Sequence, residues 1–98
     1  MTRRTGTRQI SRIDSNQESI VAALRKAGCS VQSLARVGAG CPDLLVSRAG
    51  RNFLIEIKTD GGSLNDAQLA WLREWNGQAD VVRSLEGALA VVGLGAKR

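Results

Sequence analysis

Two short apolar runs constrain this chain more than anything else in it: Pro42-Asp43-Leu44-Leu45-Val46 and Phe53-Leu54-Ile55-Glu56-Ile57-Lys58. Each is rich in Leu, Val, Ile or Phe and bounded by Gly, Pro, Arg or Asn, the pattern of two strands joined as a hairpin. The turn falls around Arg48-Ala49-Gly50-Arg51. A symmetric turn of two or four residues pairs positions whose numbers total 99, which sets Asp43 directly opposite Glu56. Side chains so placed have Cβ atoms ~4.5–5.5 Å apart, and like charges there are destabilising. A divalent cation between the two acids is the simplest compensation, since Mg²⁺ takes one or two carboxylates and completes its octahedron with water and phosphate oxygens. Strand period puts Leu54, Glu56 and Lys58 on one face and Phe53, Ile55 and Ile57 on the other. One face packs and the other is left for chemistry. The bland alternative is a surface hairpin whose acids pair with Lys58 and a neighbouring arginine.

Around the hairpin the remaining elements follow from capping and periodicity. Residues 1–12 read as a basic arm, polar and without apolar period, and 13–98 as a single domain. Ser15-Asn16-Gln17-Glu18 fits a capping box, and Ile20, Val21, Leu24 and Ala27 continue at helical spacing to a stop at Gly28, predicting a helix over 15–27. Capping is a sufficient role for Glu18. Ser30 to Arg36 alternates as a first strand, and Arg36-Val37-Gly38-Ala39-Gly40 approaches Pro42 through a Gly-rich stretch. That stretch suits either a close contact of backbone with a phosphodiester or a flexible connection.

After Lys58, Thr59-Asp60-Gly61-Gly62-Ser63 is a turn, and a second helix is expected over 65–76. Asn65 with Gln68 makes another capping box, and Leu64 against Leu69 a hydrophobic staple. Gln68, Leu69, Trp71, Leu72 and Trp75 are expected to form its inward stripe, the tryptophans as core or dimer-interface residues rather than base-stacking platforms. A short strand over 79–83 and a helix or helix-strand piece over 85–92 complete an α-β-β-β-α-β order with a terminal α segment. The fold class is therefore α/β, a mixed sheet flanked by helices.

Composition narrows the chemistry. The 98 residues suffice for one core, and dimerisation would add to what a chain of this size buries. A net charge of +5, with Arg3, Arg4, Arg8 and Arg12 in an arm without acids, suits a polyanion, or is a solvated tail. The absence of His excludes Ser-His-Asp triads, zinc-protease motifs and a histidine general base, and the absence of Tyr excludes tyrosine-linked strand transfer. Cys29 and Cys41 are too few for a disulfide framework and point to a reducing cytoplasm. No apolar stretch approaches the ~20 residues of a membrane span, and no nucleotide-cofactor motif is present.

Asp43 followed by Glu56-Ile57-Lys58 resembles the Pro-Asp…Glu-x-Lys core of the PD-(D/E)XK nuclease superfamily. Joined to Gly40-Cys41-Pro42 before it and Gly62-Ser63-Leu64-Asn65-Asp66-Ala67-Gln68 after it, the pattern is similar to the VRR-NUC family in its short stand-alone form typical of phages. The likeness runs from about Glu18 to Val92. It implies a restriction-endonuclease-like core, Mg²⁺ or Mn²⁺ held by Asp43, Glu56 and the carbonyl of Ile57, a first-helix glutamate (Glu18) assisting the metal, and Gln68 facing the catalytic centre. It also implies a structure-selective DNA endonuclease, with four-way (Holliday) junctions cut by a homodimer as the leading expectation.

In that reading Lys58 orients or deprotonates the attacking water or stabilises the phosphate. A lysine ordinarily charged at neutral pH favours the electrostatic role. Arg36, Arg48, Arg51 and the arm would hold DNA backbone, with Arg48 and Arg51 equally placed to be solvated turn residues. The alternatives are a flap or nicking nuclease, or a non-catalytic basic DNA-binding domain. The host cytoplasm is the expected location for a phage-encoded protein.

Overall fold

The computed structural model describes residues 16–59 and 61–95. Helix α1 occupies residues 16–26 and buries Ile20 and Leu24. It ends where Cys29 N–H reaches back to Leu24 O at 3.0 Å and Gly28 N–H to Arg25 O at 3.0 Å, a six-to-one and five-to-two pair that closes the last turn at the expected glycine.

Three strands follow as a meander, β1 (Ser30–Ser33), β2 (Leu44–Arg48) and β3 (Arg51–Ile57); then α2 (Asp66–Glu74), β4 (Asp80–Val82) and α3 (Leu85–Val91). The sheet order is β1-β2-β3-β4, with the first two pairings antiparallel and β3–β4 parallel. This is the expected mixed α/β architecture. Leu44 faces Ile55, Leu45 faces Leu54 and Arg48 faces Arg51, so the register is the one the hairpin arithmetic requires. The two-residue turn is Ala49-Gly50 with φ of 53° and 81°. Positive φ at both central positions is the turn whose twist matches that of the flanking strands.

Leu44, Val46, Ile55 and Ile57 point to one side of the sheet, where they close a core with Ile20, Leu24, Val82, Ala88 and Val92. That face is covered by α1 and α3. The other face carries Leu45, Leu54 and Glu56, and α2 lies over the Glu56 end of it.

Three expectations about elements are corrected. β1 stops at Ser33 rather than Arg36, because Ser33 Oγ accepts Ala35 N–H at 3.2 Å and turns the chain. Helix α2 and strand β4 are each shorter at both ends than expected. More consequentially, α2 buries no residue: Leu69 is 42% and Trp75 45% exposed, and Trp71 and Leu72 are half-buried. Among the described residues no further layer packs on α2 to cover an apolar stripe. Instead the Trp71 and Trp75 rings stack on each other, centroids 4.5 Å apart at 19°. Ser15, the expected first cap, and the basic arm lie outside the described residues.

Candidate active site

The site is built at the end of the β2–β3 hairpin away from its turn. Asp43 directly precedes β2, and its backbone carbonyl accepts Leu34 N–H at 2.8 Å, one bond beyond the β1–β2 ladder. Its side-chain Oδ2 accepts Ile57 N–H at 2.8 Å. The residue is thus braced from β1 on one side and from β3 on the other, its carboxylate against the strand that bears Glu56.

Glu56 is the one buried charged residue among those described, 3% exposed. Burial pushes its carboxyl up to about 7, the negative charge of Asp43 pushes the same way, and Lys58 opposes both. Asp43 and Lys58 therefore both act on Glu56. Lys58 Nζ stands 4.0 Å from Glu56 Oε2, and its N–H is held by Val82 O at 2.9 Å on the parallel neighbour β4.

Gln68 serves the cap and the site at once. Its Oε1 accepts Asn65 N–H at 2.9 Å and Asn65 Oδ1 accepts Gln68 N–H at 2.8 Å, the expected capping box. Its Nε2 donates to Glu56 Oε2 at 3.0 Å. One carboxamide thus makes both the cap bond and a bond to Glu56.

Glu18 makes no hydrogen bond or ion pair with the acids. It is exposed and lines a shallow groove with Gln17, Val21, Arg25, Ser33 and Ala35, while the α1 residues beside Lys58 are Asn16 and Gln17, in a small cleft with Ile57, Thr59 and Gly62. Of the expected DNA-holding arginines, Arg36 is exposed in the β1–β2 connection. Arg48 and Arg51 sit at the hairpin tip, five residues along each strand from Asp43 and Glu56 and so about 16 Å away. Arg48 Nη1 donates to Val92 O at 3.0 Å at the end of α3, and the Arg51 guanidinium lies 5.7 Å from the Phe53 ring centre. Arg3, Arg4, Arg8 and Arg12 fall outside the described residues.

Several contributors had no signal in the sequence. Cys41 lies close enough to the acids that burial first, then Glu56 and Asp43, raise its thiol, which keeps it protonated and a poor nucleophile. Arg83 Nη1 donates to Thr59 O at 3.0 Å and to Gly62 O, tying down the loop that follows Lys58. Both depend on contacts between residues far apart in the chain. Gly40 carried a partial signal: a Cβ there would lie 2.2 Å from Ala67 O, so the Gly-rich approach is a close contact with α2.

Two adjacent hard carboxylates, one of them buried, beside the main-chain carbonyl of Ile57, make a donor set suited to Mg²⁺ or Mn²⁺. Among the described residues no group of three His, Cys, Asp or Glu side chains is disposed around one point, so further ligands would be main-chain, water or substrate oxygens. No described helix is long and apolar enough to cross a membrane. Compared with known proteins, a family model described as VRR-NUC domain matches residues 8–88. No curated protein and no solved structure matches the chain.

Proposed function

The chain belongs to the VRR-NUC family and is a nuclease of the PD-(D/E)XK type, and from that premise we propose that it hydrolyses DNA phosphodiesters with Mg²⁺ or Mn²⁺, selects branched DNA such as four-way junctions, and acts as a homodimer. The observation that carries the metal reading is the buried Glu56 carboxyl, whose proton affinity Asp43 raises. A site that must keep two acids side by side gains most from a dication.

Asp43, Glu56 and the Ile57 carbonyl would hold the ion. When bound, it supplies Lewis-acid activation of water and charge for the phosphorane-like transition state. The chain's own groups do the remainder. Ile57 N–H orients Asp43, Gln68 Nε2 orients Glu56, and Lys58, fixed through its backbone to β4, presents a cation beside them to the scissile phosphate. Glu18 is exposed on α1, and any part it takes in holding the ion is through water.

Selectivity for junctions is supported by the chain's charge and by symmetry. A +5 protein binds backbone without reading sequence, and two copies about a two-fold axis offer two sites to a two-fold junction. The open sheet face gives self-association a place, since Leu45, Asn52, Leu54, Trp75 and Gln78 line an uncharged cleft there of about 400 Å³.

The test is incubation of purified protein with labelled four-way junction, flap and linear duplex, with Mg²⁺, Mn²⁺ or EDTA, beside Asp43→Asn. Cleavage of a branched substrate is expected, abolished by EDTA and by the substitution. Activity that survives either one removes the metal mechanism, and preference for linear duplex removes the junction reading.

A further inference from the structure

A capping box takes Glu or Gln at its third position alike, because only the side-chain oxygen is used. Here that residue is Gln68, and its second polar end has a job that glutamate could not do. A planar carboxamide has one accepting and one donating end. With Oε1 occupied by the backbone N–H of Asn65 at 2.9 Å, the end turned to Glu56 Oε2 at 3.0 Å is the NH₂. The first turn that carries Gln68 is itself fixed by Asn65 Oδ1, which accepts Gln68 N–H at 2.8 Å. The loop before Asp43 rests on the same turn through Gly40, so the helix start and the acid strand are held as one block.

We propose that Asn65, which touches neither acid, is a positioning residue for Glu56: its side chain pins the first turn of α2 so that its backbone N–H holds the Gln68 amide oxygen and a hydrogen-bond donor faces the carboxylate. With Asn65 in place, Glu56 Oε2 is held in one rotamer at the position where an ion and a phosphate must meet. Without the Asn65 side chain its backbone N–H remains, but the first turn of α2 is no longer pinned against it, and the amide can turn its oxygen toward an acid that already opposes another. The catalytic consequence rests on the nuclease reading above, whereas the orientation of the amide does not.

The experiment compares ¹⁵N-labelled wild type with Asn65→Ala, Asn65→Ser, Gln68→Glu and the Asn65→Ala/Gln68→Ala pair. Solvent exchange of the Gln68 side-chain NH₂ is followed by NMR, and junction cleavage by steady-state kinetics. Asn65→Ala is expected to speed the exchange and lower kcat, each about tenfold, the scale of a lost cap, with KM unchanged. Asn65→Ser, still a capping residue, restores both. Gln68→Glu keeps the box but exchanges the donor for a carboxylate set against Glu56 Oε2, and lowers both kcat and the melting temperature. In a Gln68→Ala background Asn65→Ala costs no further kcat. Unchanged Gln68 NH₂ exchange in Asn65→Ala, or a loss of kcat that persists in the Gln68→Ala background, overturns the proposal. If exchange responds while the wild type cleaves nothing, the nuclease reading fails and the positioning stands.

Discussion

The carboxylate of Asp43 accepts the backbone N–H of Ile57 at 2.8 Å, so the acid of one strand is anchored on the main chain of the strand that bears the other. Asparagine at 43 keeps an oxygen for that N–H and removes only the charge. Asp43→Asn should therefore melt within a few degrees of wild type while losing at least about a hundredfold in cleavage. Asp43→Ala orphans the Ile57 N–H and should cost about 1–3 kcal/mol of stability as well. Thermal melts beside cleavage assays separate the two, and an Asn variant that cleaves normally would show that the charge is not used.

Glu56 binds its proton more tightly in the folded chain, at about 7, than its ordinary value of 4.5. Between those values the folded state holds more protons, so stability falls as pH rises. The contribution is fully present below about pH 4.5 and lost through about pH 7, and amounts to about 3 kcal/mol. In urea titrations of metal-free protein, Glu56→Gln should flatten this slope and be the more stable form at pH 8. Mg²⁺ at pH 8 should restore wild type and leave Glu56→Gln unchanged. A slope that persists in the glutamine variant would assign it to another group.

Gly40 and Gly38 both have positive φ, 86° and 71°, but only at Gly40 would a Cβ meet backbone, Ala67 O at 2.2 Å. Gly38→Ala should cost about 1 kcal/mol, the left-handed penalty alone. Gly40→Ala adds displacement of the α2 start and should cost at least about 2 kcal/mol more, with loss of cleavage. Equal melting temperatures for the two would mean that the loop moves off α2 without consequence.

Arg48 donates to Val92 O at 3.0 Å at the end of α3, on the side of the sheet away from the acids. Its loss should appear in stability, about 1–2 kcal/mol, and leave the salt slope of DNA binding as it was. Binding isotherms at several salt concentrations decide this: a slope smaller by about 1 would make Arg48 a phosphate contact instead.

The hairpin, its register and the opposition of Asp43 to Glu56 were legible because they are local: a two-residue turn and a period of two determine them. The Asn65–Gln68 box was legible for the same reason. The role of Gln68 beyond capping followed only from family likeness, since its partner is twelve residues away on another element. Glu18 is exposed on α1, and a helix start defines which residues are near the cap but not which way the turn faces the sheet. The stripe on α2 misled because amphipathic spacing presumes a covering layer. There the tryptophans lean on one another, and Trp75 Nε1 is satisfied by Gln78 O at 3.2 Å. Arg83 and Cys41 act through long-range placement, which no window of sequence displays.

Because β1, β2 and β3 follow one another without a crossover, the acids approach as soon as a single tight reversal forms, on the ~1–10 µs scale of hairpins. Helix α2 and the parallel strand β4 must then arrive over a longer loop. A hairpin that forms first would confront the repulsion of Asp43 and Glu56 before Gln68 is present to orient Glu56, and docking of α2 would then order the pairing. Mutations that slow α2 should accordingly delay the appearance of activity more than the appearance of sheet.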